Sequence, residues 1–259
     1  MEYFAGLPIV VVGLLASLAA GAATGVGALP ALFYQRISPR VEDGLLGFGA
    51  GVMLAATSFS LILPAIDHAG GGLGAAMIVA GGMLLGGLFL YLSDHFAPHE
   101  HFISGPQGAD LGRLKRIWLF VIAITIHNFP EGLAVGVGFG GGDIANGLTL
   151  AMGIGLQNMP EGLVVALALL REGYSLRYAL MVSLLTGLVE PIGGLIGVGV
   201  VSVAAPLLPW GLAFAAGAML YVVSDEIIPE SHRKGYEDEA TFGVMVGFVI
   251  MMLLDVTLG

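Results

Sequence analysis

Long apolar stretches, interrupted at regular intervals by short polar segments, dominate the chain. Residues 3–35, 44–66, 69–93, 117–130, 144–160, 191–224 and 240–254 contain no Asp, Glu, Lys or Arg. Several of these runs are shorter than the roughly 20 residues that cross a bilayer as a helix. The stretches after Arg116, Asp143 and Arg177 reach that length once each is allowed one internal acid, namely Glu131, Glu161 and Glu190. The pattern then predicts eight membrane-crossing helices, at about 6–34, 43–66, 71–96, 116–139, 144–170, 175–203, 208–229 and 240–258. Residues 1–259 are read as one transmembrane domain of all-α, polytopic class, with residues 97–115 forming a short cytoplasmic loop that contains histidines. No basic segment precedes the first apolar run, which is read as helix 1 rather than a removable leader.

Composition supports the same reading and removes others. Mean hydropathy is +0.93, and 11% of residues are charged where a soluble domain carries roughly 25%. A net charge of -10 leaves no material for a basic nucleic-acid surface. With no cysteine there are no disulfides, thiolate metal sites or cysteine nucleophiles. All 9 basic residues fall in alternate loops, after helices 1, 3, 5 and 7. The positive-inside rule then puts those loops in the cytoplasm and both termini outside. A miscounted helix would have spoiled the alternation.

The chain also repeats itself. Helix 2 contains Phe48-Gly-Ala-Gly-Val-Met-Leu54 and helix 7 contains Phe214-Ala-Ala-Gly-Ala-Met-Leu220, and each run leads to a proline, Pro64 or Pro229. Helix 1 has Thr24-Gly25 and Pro30 where helix 6 has Thr186-Gly187 and Pro191, and helices 3 and 8 end in Asp94 and Asp255. Helix 2 runs outward and helix 7 inward, so helices 1–3 and 6–8 form an inverted repeat around a central pair, helices 4 and 5 (3+2+3). Inverted repeats mark transporters, with the site expected near the midplane. The competing explanation is shared composition of Gly/Ala-rich helices. Helices 4 and 5 also match each other, over the hexads His127-Asn-Phe-Pro-Glu-Gly132 and Gln157-Asn-Met-Pro-Glu-Gly162, each followed by Leu.

Both hexads fall at mid-helix, hence at mid-membrane, where an acid costs about 2.5–3.5 kcal/mol on insertion scales. No Lys or Arg lies at membrane depth near Glu131, Glu161 and Glu190, so neutralisation must come from protons or from a cation outside the chain. Spacing favours a metal. His127, Asn128 and Glu131 project to one side of a helix, and Gln157, Asn158 and Glu161 do the same on the next. Pro130 and Pro160 free or tilt the carbonyls of Ile126 and Leu156, which become further candidates, and kink the helices around the site. This mixed N/O set suits Zn, Fe(II), Mn or Cd. Each residue also has a plainer explanation. Glu190 alone suits a protonated packing residue, Asn158 a helix-to-helix amide bond, and Met53 core packing instead of thioether ligation.

The two hexads on consecutive helices, the eight-helix count and the 3+2+3 repeat resemble the ZIP (Zrt-, Irt-like protein) divalent-metal transporters, in their short prokaryotic GufA-type branch. The resemblance implies a metal site of His127, Asn128, Glu131, Gln157, Asn158 and Glu161, with Glu190 completing an adjacent second position. It implies zinc, cadmium, iron(II) or manganese as transported substrate, with no resident cofactor and no nucleic acid. It also implies movement of helices 1, 4, 5 and 6 against a scaffold of helices 2, 3, 7 and 8, in an assembly that is often dimeric. Together with the compact loops, it places the chain in the plasma (inner) membrane of a prokaryote. Relatives carry Asp where this chain has Asn158, which removes one carboxylate from the second position.

By the same resemblance, Met53 and Asp67 line the approach from outside, where Asp67 and His68 end helix 2. At the inner side lie Asp43, the group Asp94, His95, His99, Glu100 and His101, and the group Asp225, Glu226, Glu230 and His232. Weak successive sites of this kind let an ion leave, although a merely solvated acidic loop explains the His99–His101 group equally well. Two other function classes use similar residues. An intramembrane metalloenzyme would want HExxH, which is absent, and Gly140-Gly-Gly-Asp143 matches GxGD only in an outer loop. A proton or alkali-cation exchanger would have little use for His127 and the amides.

Overall fold

The computed structural model describes residues 6–96, 99–101, 105–107 and 116–258. Eight helices long and apolar enough to cross a membrane occur among them: α1 Ile9–Leu32, α2 Pro39–His68, α3 Gly72–Ser93, α4 Ile117–Gly140, α5 Ile144–Arg171, α6 Leu176–Val203, α7 Ala205–Ser231 and α8 Glu237–Leu258. The one ladder among the described residues pairs β1 His99–His101 with β2 Gly105–Gln107, antiparallel. α4 and α5 are central, with 72% and 78% of their apolar windows buried, whereas α3 and α8 are peripheral at 28% and 11%. The protein is an integral membrane protein of all-α class.

Three departures from ideal helices follow from proline and capping chemistry. α2 begins at Pro39, four residues earlier than the apolar pattern predicts, because the Ser38 hydroxyl caps it by accepting from the Val41 amide and Pro39 suits the first turn. Glu42 and Asp43 are therefore inside the helix. α6 is broken at Leu188–Val189 and restarts with Glu190 in its first turn, because Pro191 lacks an N–H and clashes with the carbonyl four residues back. α2 and α7 each contain a π-helical turn, Ala56–Ile62 and Val223–Ile227, ending two residues before Pro64 and Pro229. Such turns are rare and concentrate at functional sites. Pro130 and Pro160, by contrast, sit inside helices that run unbroken through them.

The inverted repeat is visible in the packing. A Cβ added to Gly86 would strike the carbonyl oxygen of Phe214, and one added to Gly247 would strike that of Phe48. Likewise Gly217 abuts the Met83 carbonyl and Gly51 that of Val244. These α3–α7 and α8–α2 contacts are copies of each other under the sequence offsets that align the repeats. The central helices obey the same relation once α1 and α6 are aligned so that Thr24 matches Glu190, which replaces the Thr24–Thr186 match read from the sequence: Gly132 abuts the Glu190 carbonyl while Gly162 abuts that of Thr24. Glycine is required there because backbone approaches backbone, as small residues permit in membranes. Shared composition alone would not place equivalent residues in equivalent contacts.

α1, α4, α5 and α6 all touch one another, and α3, α7, α2 and α8 pack in that order as a second group. The groups meet along a seam where α5 packs on α2 and α8, and α4 on α7. Two apolar clefts open on this seam: one of about 630 Å³ beside Ser93, Ile126, Phe129 and Val189, and its repeat mate of about 410 Å³ beside Leu254, Leu156, Met159 and Ala23.

Candidate metal centre

Both hexads point into the protein. On α4, His127, Asn128 and Glu131 are buried, and on α5 so are Gln157, Asn158 and Glu161, as the three- and four-residue spacing requires. Glu190 is buried too, brought against α5 by the break in α6. Among the described residues no three His, Cys, Asp or Glu side chains converge closely enough to hold one ion. Two local arrangements hold the predicted side chains in place.

First, His127 is turned across the seam: its Nδ1 lies 2.6 Å from Oε2 of Glu226, on the π-helical turn of α7. Second, Asn158 is engaged on every side. Its Nδ2 donates to Glu190 Oε1 at 2.6 Å and to the Ala20 carbonyl at 2.9 Å, while its Oδ1 accepts from Gln157 Nε2 at 2.6 Å. The two acceptors fix the amide orientation, because only an NH₂ group can face both. Asn158 thereby stitches α1, α5 and α6 together, as the helix-to-helix reading of this residue anticipates.

What remains is a set of buried polar atoms without hydrogen-bond partners, most of them acceptors. Both oxygens of Glu131, Oε1 of Gln157, Oε2 of Glu161, Oε2 of Glu190 and both amide atoms of Asn128 have no hydrogen-bond partner. Glu131 also faces the charges of Glu161 and Glu190, and the Gln157 side chain, whose amide donates to Asn158, approaches it without closing a hydrogen bond. A polar group buried without a partner is costly, and an unpaired buried charge far more so. Nearly all the orphaned atoms are lone-pair oxygens, and the chemistry that satisfies several such oxygens at once is a multivalent cation.

The other sequence-predicted positions separate into distinct surroundings. Met53 packs in the main apolar cluster with Met219, its repeat counterpart. Asp67 and His68 are exposed at the C-terminal end of α2. Asp43 is fully buried near the N-terminal end of α2, 3.7 Å from Lys234 Nζ. Asp225 is exposed, and His95 stacks on Tyr91 with ring centroids 6.2 Å apart. His232 is held locally, its Nδ1 3.0 Å from the Ile228 carbonyl and its Nε2 3.2 Å from Thr241 Oγ1. The side chains of Asp94, His99, Glu100 and His101 lie outside the described residues.

Two features escape a reading from spacing. Glu226 is the immediate partner of His127, whereas its sequence position suggested only an inner acidic group. The repeat carries the signal: Glu226 is the counterpart of Ser60, on the π-helical turn of α2, whose Oγ donates to Asp255 Oδ1 at 2.6 Å. Glu42 is the second, buried and bound by Lys234 and Arg171.

Comparison with known proteins agrees with this architecture. The family described as ZIP Zinc transporter matches residues 105–255. The chain belongs to the ZIP family. It is 52% identical to "Zinc transporter GufA" of Myxococcus xanthus over 251 residues, covering 95% of this chain and 99% of that one. It is 50% identical to "Zinc transporter ZIPB" of Bordetella bronchiseptica over 249 residues, 95% of this chain and 81% of that one. Similarity extends to human "Zinc transporter ZIP11", 36% identical over 321 residues, 91% of this chain and 94% of that one. Family and relatives are described as transporters, so this ZIP chain is a transport protein rather than an enzyme. The metalloenzyme reading falls with that.

Proposed function

We propose that this ZIP chain carries zinc first, and cadmium, iron(II) and manganese besides, into the cytoplasm across the plasma membrane of a prokaryote, with both termini outside. The observation that carries the reading is the cluster of unpartnered oxygens from Glu131, Glu161, Gln157 and Asn128 at mid-membrane, together with the zinc transporters among its relatives.

A divalent ion arriving past Asp67 loses water to Glu131 and Glu161, whose two charges balance its own. His127 exchanges Glu226 for the ion, and the amide oxygens of Asn128 and Gln157 complete the shell. The loaded group α1, α4, α5 and α6 then shifts as a body against α2, α3, α7 and α8, an elevator-type movement for which the seam between them is the natural sliding surface. The ion leaves past Glu226, Asp225 and the inner acids. The ion is the substrate, and no resident cofactor takes part.

The test is zinc and cadmium influx into liposomes containing the purified protein and a metal-sensitive dye. Influx is saturable and falls as pH drops from about 7.5 to 5, because ligation requires neutral imidazole and ionised carboxylates, and histidine takes up its proton near 6.5. Influx indifferent to pH over that range excludes His127 and the carboxylates as the ligand set. Saturable flux of sodium or protons with none of zinc favours the exchanger instead.

Asn158 sets the number of ions. Its two N–H groups already serve Glu190 and the Ala20 carbonyl, where a second cation would otherwise sit. The native chain accordingly holds one ion. Asn158→Asp removes those donors, adds a carboxylate beside Glu190, and raises bound zinc from about one to about two per chain. Elemental analysis after desalting reads this directly, and a variant still holding one ion contradicts the role given to the amide.

A further inference from the structure

The inner ends of α2, α5 and α7 form a charged cluster centred on Glu42, a residue to which neither the metal site nor the exit path assigns a role. Glu42 is buried in the first turn of α2, and its two oxygens face opposite ways: Oε1 lies 2.8 Å from Lys234 Nζ and Oε2 lies 3.0 Å from Arg171 Nη2. Lys234 is also 3.7 Å from Asp43 and 3.8 Å from Glu230, and Arg233 is 3.0 Å from Glu230. Every member except Arg171 follows or belongs to α2 or α7. Arg171 ends α5 and is the cluster's one residue from the other four-helix group. The Glu42–Arg171 contact therefore crosses the seam.

The repeat supplies a comparison at the opposite end of the bundle. Arg171 is the counterpart of Gly141, just past α4, by the offset that relates His127 to Gln157. Glu42 is the counterpart of Leu208, at the start of α7, by the offset that relates Met53 to Met219. Gly141 and Leu208 do meet: a Cβ on Gly141 would lie 2.8 Å from Leu208 Cδ2. The same contact is thus made twice, once between apolar groups and once between a buried carboxylate and a guanidinium.

Inverted repeats allow two conformations in which the halves exchange roles. Were the two contacts alike, nothing in them would favour either conformation. Here the pair at the inner end adds a charge-assisted hydrogen bond that its apolar mate lacks, and separating the groups there would leave Glu42 with Lys234 alone. We propose that Glu42–Arg171 is a latch between the two four-helix groups, which holds the protein in the relative position seen here and whose release accompanies each transport cycle. The proposal rests on the rigid-body reading of transport given above.

The chain's lack of cysteine makes the test direct. Gly141→Cys with Leu208→Cys places two thiols on the apolar mate of the latch, and their oxidative cross-linking rate reports how long this relative position persists. In that background, Arg171→Gln slows cross-linking about 5- to 10-fold, Glu42→Gln does the same, and Arg171→Lys restores most of the rate. Arg40→Gln is the control, since Arg40 pairs with Glu239 at 2.6 Å within the α2–α8 group and does not cross the seam. The side chain of Arg171 is 42% exposed, so its replacement leaves folding intact. Cross-linking unchanged in both Arg171→Gln and Glu42→Gln overturns the latch while leaving the transport reading standing. Zinc influx undiminished after complete cross-linking refutes the rigid-body movement itself, and the latch with it.

Discussion

Zinc influx into liposomes falls by more than about 100-fold when Glu131 is replaced by alanine, exceeding the 10- to 100-fold loss usual for residues that only support a metal ligand. Glu131 is fully buried, both its oxygens lack partners, and it faces Glu161 and Glu190 across the space between α4, α5 and α6. In the proposed site its removal takes away one of the two charges that would balance a divalent ion, so an entering ion would carry uncompensated charge into low dielectric. The same change relieves a buried, unpaired carboxylate, and the protein should unfold in detergent at the same temperature or higher. Loss of influx with stability retained is what separates a binding group from a packing group. Glu237→Ala, at the exposed start of α8, is the control and leaves influx unaltered. Native influx in Glu131→Ala would remove the foundation of the proposed site.

The membrane architecture was legible because hydropathy and loop charge are local and one-dimensional. The eight helices expected from the apolar pattern are all present, and the repeat seen in Phe48–Leu54 and Phe214–Leu220 reappears as paired glycine contacts between α2 and α8 and between α7 and α3. The hexads were equally legible, since the spacing of Asn128 and Glu131, or of Asn158 and Glu161, fixes the face they share. Spacing says nothing, however, about what a side chain meets across that face. The turn of His127 toward Glu226 depends on how α7 lies against α4, roughly a hundred residues apart in sequence. The bonding of Asn158 depends on the Ala20 carbonyl, which no motif marks.

Backbone detail was lost for a related reason. Pro64, Pro130, Pro160, Pro191 and Pro229 look alike in sequence, yet two follow π-helical turns, two sit inside unbroken helices and one starts a new segment. The outcome depends on which neighbour satisfies the freed carbonyl. Glu42 was passed over because the apolar run begins after Asp43, while capping by Ser38 starts α2 before it. The pairings that escaped the sequence reading, His127 with Glu226 and Glu42 with Arg171, both cross the seam between the two groups, where contacts are long-range by construction.

The closest packing around the site gives the second large effect. Gly162 follows Glu161 in the α5 hexad, and a Cβ there would overlap the carbonyl oxygen of Thr24 on α1. The obstructing atom is backbone, so no rotamer change relieves it, and Gly162→Ala must push α5 away from α1. Overpacking of this kind costs about 1–3 kcal/mol, or roughly 2–12 °C of melting temperature for a chain of this size. The displacement falls one residue from Glu161 and four from Asn158, whose bond to the Ala20 carbonyl spans the same two helices. Zinc influx therefore drops by more than about tenfold even in the fraction that folds, because near 1 Å of misplacement is enough to undo a ligand set. Gly199→Ala in α6 is the matched control: nothing lies within 4 Å of its added Cβ, and alanine is the better helix former by about 0.5–1 kcal/mol. That variant melts at the native temperature or slightly above and transports normally. If Gly162→Ala behaved like Gly199→Ala in both measurements, the close approach of α1 and α5 would not be what positions Glu161.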